Sequence, residues 1–116
     1  MIVLNDSGAD AGIFINVFSS KSIKQIYEFY FEINRNNYES LENMDEEIIK
    51  YIDSNSLLKD SAVYDYMVAT LKSLPEFEYT DKFDMYVRYY NYKFDECIHT
   101  KVFNVIKTNN DNFIIE

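Results

Sequence analysis

The stretch TDKFDMYVRYYNYKFDECIHTKVFNVIK, from Thr80 to Lys107, decides the fold because its hydrophobic period changes part-way through. Apolar residues in its first two-thirds follow one another at steps of three and four, which is the stripe of a core-facing helix. Thr80 and Asp81 can cap the start of that helix, and neither Gly nor Pro interrupts it. We therefore predict a long helix from about Asp81 to His99. Its core stripe is Phe83, Val87, Tyr90, Phe94 and Ile98.

The end of the same stretch predicts a β-hairpin. A continued helix would bury Lys101 and turn Phe103 outward, so the helical pattern fails there. Residues 102–106 are a β-rich run, residues 108–111 are turn formers, and residues 112–116 repeat the apolar pattern. Two antiparallel strands at the C-terminus follow from this order.

The back of the predicted helix carries Met85, Tyr89 and Tyr92, where a soluble monomer normally places charge. Three interpretations remain open. Another element covers this face, which we favour because aromatic residues in small domains usually belong to the core. The face is a partner or dimer surface, since Tyr and Met are enriched in interfaces. Or residues 84–94 form a strand, which the lack of flanking turn residues disfavours.

The rest of the chain predicts a strand pair followed by three helices. Residues 1–4 and 13–18 read as edge strands, joined by a loop that holds both glycines. A capping serine, Ser20 or Ser22, begins an amphipathic helix that ends at Asn36. Further helices are expected over 40–54 and 60–74, the last stopped by Pro75. The prediction is one α+β domain, 1–116, with about four amphipathic helices, an N-terminal strand pair and a C-terminal β-hairpin.

Composition limits the compartment. One cysteine cannot form an internal disulfide, which favours a reducing compartment. No apolar run approaches the ~20 residues of a membrane span, and the first five residues lack the basic start of a signal peptide. We expect the protein in the cytoplasm, which is the host cytoplasm if the protein is viral.

Charge limits the partner. Twenty acidic and eleven basic residues give a net charge of −9, which opposes direct binding to nucleic acid or to an anionic membrane. The acids concentrate on the predicted helix 40–54, and there they form an anionic ridge. One interpretation is a solvated face that keeps the protein soluble. The other is a surface that imitates phosphates and occupies a basic groove. Glu39, Glu42, Glu46 and Asp53 project outward, and Asp45 and Glu47 lie on the flanks.

The sequence offers little catalytic material. His99 is the only histidine and Cys97 the only cysteine, so one chain cannot assemble a usual zinc site. On a helix Cys97 faces the core, which predicts an inert thiol. Adjacent carboxylates such as Glu46 and Glu47 diverge on a helix. We therefore expect no enzyme, no cofactor and no metal.

In size and charge alone, the chain resembles phage or mobile-element inhibitors of bacterial defence, anti-CRISPR proteins among them, and immunity proteins that neutralise toxic nucleases. That resemblance carries over no site residues. It implies a non-enzymatic inhibitor of a basic nuclease or CRISPR effector, docked through the ridge with Tyr89 and Tyr92 as anchors. The alternative is a homo-oligomeric assembly module, most simply a homodimer, joined through Met85, Tyr89 and Tyr92 or by strand pairing at a sheet edge.

Overall fold

The protein is a five-stranded antiparallel sheet with helices on one face. The computed structural model describes residues 9–19, 25–35, 38–93, 95–109 and 112–116. The strands lie in the order β2-β1-β3-β4-β5. The class is mixed α+β, but the predicted arrangement of about four helices with an N-terminal strand pair is wrong. The elements are β1 Ala11–Ser19, β2 Gln25–Ile33, α1 Leu41–Asp53, α2 Ser56–Lys59, α3 Ser61–Lys72, a 3-10 turn Pro75–Glu78, β3 Lys82–Asn91, β4 Glu96–Asn109 and β5 Asn112–Ile115.

The long helix predicted from Asp81 to His99 is wrong, and the strand alternative for 84–94 is the better description. β3 is the middle strand of the sheet, paired with β1 on one side and β4 on the other. Its side chains alternate, with the odd positions 83–91 buried towards the helices and the even positions on the opposite face. The stripe predicted for the helix mixed residues of the two faces, because apolar residues occupy both. Phe94 of that stripe lies outside the described residues.

The turn between β3 and β4 contains neither glycine nor proline, which is why no turn was predicted there. The side-chain Oδ1 of Asn91 accepts a hydrogen bond of 3.0 Å from the amide of Lys93. Asp95 adopts a left-handed backbone conformation with φ of 48°. Asn and Asp are the non-glycine residues that tolerate these roles best.

The helix predicted after Ser20 is also wrong, since residues 25–33 form β2. Tyr27, Phe29, Phe31 and Ile33 belong to the core cluster or pack against it, while the residues between them face the other way. β1 contains the strand predicted over 13–18, but it is an inner strand rather than an edge. The strand predicted over 1–4 lies outside the described residues.

The predicted helices over 40–54 and 60–74 are confirmed as α1 and α3, because their start signals are local in sequence. The side chain of Ser40 accepts a hydrogen bond of 3.0 Å from the amide of Asn43. Asp60 accepts from the amides of Ala62 and Val63 at 3.0 and 3.3 Å. Both are N-cap contacts, which satisfy amides that have no partner within the helix. The C-terminal hairpin is confirmed as well, as β4 and β5.

The hydrophobic core lies between the sheet and the helices. Burial of these side chains removes the apolar surface that drives folding. We call the other side of the sheet the open face, because the helices pack on the core side. Its side chains include Phe14, Asn16, Phe18, Glu28, Tyr30, Asp84, Tyr86, Arg88, Tyr90, Val102 and Ile114.

Candidate functional site

The acidic residues predicted to form one ridge divide into two groups with different roles. α1 buries Met44, Ile48 and Ile52 against the sheet. The opposite side of the helix is therefore turned to solvent, as an amphipathic helix requires. Four of the six predicted ridge residues are exposed and make no side-chain hydrogen bond to the sheet among the described residues, three on α1 and one just before it, and we call these four the acidic surface. They are Glu39, Glu42, Glu46 and Glu47.

Asp45 does not project outward but turns into the protein. The hydroxyl of Tyr89 donates a hydrogen bond of 2.6 Å to its Oδ1. The side-chain amide of Asn91 donates to both carboxylate oxygens, at 3.3 and 3.2 Å. Tyr89 and Asn91 are fully buried in β3. Asp45 therefore fastens α1 to the middle of the sheet.

Asp53 forms a second attachment, at the other end of α1. Its Oδ1 lies 2.7 Å from Nε2 of His99, and its backbone carbonyl accepts a hydrogen bond of 2.9 Å from Nζ of Lys101. Both partners lie on β4. Since each end of α1 is tied to the sheet, the acidic surface is presented by a helix of fixed position.

The acidic surface is mostly negative but has basic neighbours, since Arg35 and Lys93 line the same depression as Glu42. None of the ion pairs found among the described residues includes a carboxylate of Glu39, Glu42, Glu46 or Glu47. Glutamates one turn apart on a helix, such as Glu42 and Glu46, have Cβ atoms about 6 Å apart. The surface therefore has a closely spaced pair of negative charges, Glu42 and Glu46, with Glu47 to one side on α1 and Glu39 just before the helix. It is suited to a basic surface on another molecule.

Met85 and Tyr89 are not at the surface. Both are fully buried and face the helices, since they occupy odd positions of β3. Placing them on the back of a helix was wrong, and a buried side chain offers no area to a partner. Burial raises the pKa of Tyr89 strongly, and the hydrogen bond from its hydroxyl to Asp45 and the charge of that carboxylate add to the effect. Tyr89 is thus a protonated donor in the core.

Tyr92 is half-buried and covers one end of the open face. Its ring lies over Gly12, where a Cβ would come within 1.9 Å of the tyrosine hydroxyl oxygen. The hydroxyl is buried without a hydrogen-bond partner among the described residues. Burial, followed by the negative charge of Glu32, raises the pKa of Tyr92 to about 12. Tyr92 therefore contributes to packing at this position.

The open face holds a cluster of aromatic rings that our sequence reasoning missed. The rings of Phe14 and Tyr30 stack with centroids 5.4 Å apart, and Tyr90 contacts Phe14 edge-on at 5.3 Å. Further along, Phe18 and Tyr86 make an edge contact at 5.1 Å. The sequence pattern that could have revealed this cluster is an aromatic residue at every fourth position of each strand. These residues are Phe14 and Phe18 in β1 and Tyr86 and Tyr90 in β3.

One cation lies among these rings. The guanidinium of Arg88 lies 5.9 Å from the ring centre of Phe14 and 5.6 Å from that of Tyr90. It also donates to the side-chain oxygen of Asn16 at 2.9 Å and pairs with Glu28 at 3.5 Å. The amide of Asn16 donates in turn to Glu28. These contacts hold Arg88 flat against the sheet beside a shallow depression of about 340 Å³.

The described residues show no grouping suited to a metal ion, because no three of their His, Cys, Asp and Glu side chains converge. Cys97 is half-buried on β4, with Sγ 3.6 Å from the hydroxyl of Thr100. His99 contacts Asp53. No helix in the described ranges is both long enough and apolar enough to cross a membrane.

Comparison with known proteins gives no relative: no family model, no curated protein and no solved structure matches this chain.

Proposed function

We propose that this protein is a non-enzymatic inhibitor that binds a basic, nucleic-acid-handling protein through its acidic surface. The observation that carries the proposal is that the acidic residues of and beside α1 have two different roles. Asp45 and Asp53 hold the helix to the sheet, while Glu39, Glu42, Glu46 and Glu47 remain exposed.

A fixed set of carboxylates favours specific docking over a merely solvated face. Carboxylates held in place lose less conformational entropy on binding than carboxylates on a mobile segment. Their net negative charge attracts a basic groove at long range and speeds association at low salt. The net charge of −9 adds to this steering and repels nucleic acid, so the partner is expected to be a protein.

The proposed mechanism involves no chemistry. The carboxylates occupy positions that phosphates take in the groove of a nuclease or CRISPR effector, and the bound domain excludes the nucleic acid. Affinity is expected to fall as ionic strength rises, since salt screens such contacts over about 8 Å at physiological concentration.

Affinity capture from nuclease-treated host extract, with elution by a salt gradient, tests the proposal. The wild-type protein should retain a basic protein that elutes at moderate salt. A variant with Glu42, Glu46 and Glu47 changed to Lys should lose it. A matched control changes the exposed residues Asp65, Glu78 and Glu96 to Lys, which alters the net charge equally. If both variants lost the partner equally, only the net charge would matter. If the variant of Glu42, Glu46 and Glu47 still retained the partner, the proposal would be contradicted.

A further inference from the structure

We propose that the open face is a homodimer interface, in which two copies of this chain pack sheet against sheet about a two-fold axis that crosses the strands at Tyr86. This inference does not rest on the proposed function, because the open face and the acidic surface are on opposite sides of the sheet. The proposal concerns the side chains of β1 to β5 that point away from the helices.

The first observation is apolar exposure concentrated on this face. Four of the six most exposed large hydrophobic side chains among the described residues lie on it, and each is 42 to 50 % exposed. Two of them are neighbours on adjacent strands at the centre of the face and the other two lie towards its edges, and aromatic residues are enriched at interface cores. The four are Tyr30, Tyr86, Val102 and Ile114.

The second observation is the order of charges along β3. Asp84, Tyr86 and Arg88 are successive residues of the open face on the middle strand of the sheet. The carboxylate and the guanidinium therefore lie at equal distances on either side of the tyrosine. The charges of this segment are therefore complementary to those of a second copy of the segment that runs in the opposite direction.

Two faces of identical copies can meet only about an axis parallel to the sheets. An axis across the strands at Tyr86 reverses β3, so Arg88 of each copy lies over Asp84 of the other. An axis along β3 would instead place Arg88 over Arg88 of the second copy. Charge complementarity selects the crossing axis, since opposed like charges are costly at an interface.

The same axis also matches the aromatic clusters. In the sheet register Phe14 is level with Arg88, and Phe18 is level with Asp84. The crossing axis therefore brings Phe14 of one copy level with Phe18 of the other, twice. Phe14 is only 7 % exposed, so the half-buried ring of Phe18 supplies most of the area at these two positions. Tyr86 and Val102, which are level with each other, meet their own counterparts at the centre. Glu28 is level with Asn16 and Tyr86, so it lies opposite Glu28 of the other copy, and each of these carboxylates is paired with Arg88 of its own chain. The second cation of the face on β3, Lys82, lies opposite Tyr90.

The available area is what a stable dimer needs. Five strands about 4.8 Å apart and about nine residues long, at about 3.3 Å a residue, give a face of roughly 700 Å². Standard interfaces bury about 800 Å² on each partner. The net charge does not prevent the contact, because stacked sheets lie about 10 Å apart and the acidic surfaces lie beyond them, on the outside.

Sedimentation equilibrium of the full chain at micromolar concentration tests the proposal by mass. The wild type should have twice the monomer mass of 13.8 kDa. Asp84→Arg and Arg88→Asp should each halve the mass, since each places like charges opposite one another. An equimolar mixture of the two variants should recover the dimer, because both cross-contacts are then between opposite charges. The double variant D84R/R88D should recover it as well. The matched control Asp65→Arg, on α3, should remain dimeric.

Two further measurements keep the test decisive. Circular dichroism checks that each variant is folded. If Arg88→Asp is not, Val102→Glu places a carboxylate on each side of the axis and should halve the mass. A wild type that stays at 13.8 kDa at every concentration would overturn the proposal. Asp84→Arg or Arg88→Asp variants that remain dimeric would also overturn the proposal. A wild type that binds single-stranded RNA, and loses that binding on Tyr86→Ser, would show that the open face binds RNA instead.

Discussion

The hydroxyl of Tyr89 donates a hydrogen bond of 2.6 Å to Oδ1 of Asp45, which lies on α1. Tyr89 is fully buried on the middle strand of the sheet, so this bond joins the helix that carries the acidic surface to the centre of the sheet. The carboxylate also accepts from the side-chain amide of Asn91. Asp45 therefore stabilises the packing of α1 on the sheet, although its neighbours in the sequence are exposed acidic residues.

Replacing Asp45 with Ala should lower the free energy of unfolding by about 3 kcal/mol, because two buried donors lose their acceptor. Urea unfolding measures the change. The neighbouring substitution Glu46→Ala is the matched control and should change stability by less than about 0.5 kcal/mol, since Glu46 is exposed. Equal effects at the two positions would contradict the structural role of Asp45.

Alkaline pH should destabilise the protein through Tyr89. Its pKa is raised above the usual value of 10.0 in the folded state. The unfolded chain therefore releases the phenol proton first, so the stabilisation is fully present below pH 10 and is lost as pH rises above it. Tyr89→Phe should be less stable at neutral pH but should lose less stability above pH 10. Urea midpoints across this range measure both slopes, and parallel slopes would contradict the assignment.

Gly12→Ala should destabilise the protein by about 1 to 3 kcal/mol, because the new methyl group overlaps the ring of Tyr92. Most of that cost should disappear in a Tyr92→Ala background, where the methyl group has space. A double-mutant cycle by thermal or urea unfolding measures the coupling between the two positions. Additive effects would show that the ring of Tyr92 does not cover Gly12.

Asp60→Ala should cost about 1 kcal/mol, because the first amides of α3 lose their side-chain acceptor. Asp60→Asn keeps a side-chain oxygen at the same place and should recover most of the loss. Urea unfolding of the three proteins distinguishes the outcomes. An asparagine variant as unstable as the alanine variant would argue for the charge of Asp60 rather than its cap.

The sequence predicted what is encoded locally. α1 and α3 begin at Ser40 and Asp60, and capping depends on residues only a few positions apart. β2 and β3 were missed. In β3, Tyr, Phe and Val at every second position also satisfy a helical stripe when both faces are apolar. Pairing with β1 and β4 then decided the conformation, and such long-range contacts override local preference.

The binding surfaces were only partly predictable for the same reason. The exposure of Glu42, Glu46 and Glu47 follows from the helical period of α1. The inward role of Asp45 depends on Tyr89, 44 residues away, and no local pattern shows it. The open face depends on which strands are neighbours in the sheet, so it became visible only with the register.

Competition with nucleic acid tests whether the acidic surface takes the place of nucleic acid in the groove of the partner. The partner recovered by affinity capture is incubated with a labelled DNA or RNA that it binds, and the present protein is added at increasing concentration. The wild-type protein should displace the labelled nucleic acid from the partner, and it should do so less well as salt rises. The E42K/E46K/E47K variant should be at least tenfold weaker. A partner that keeps its nucleic acid while bound to this protein would contradict the account.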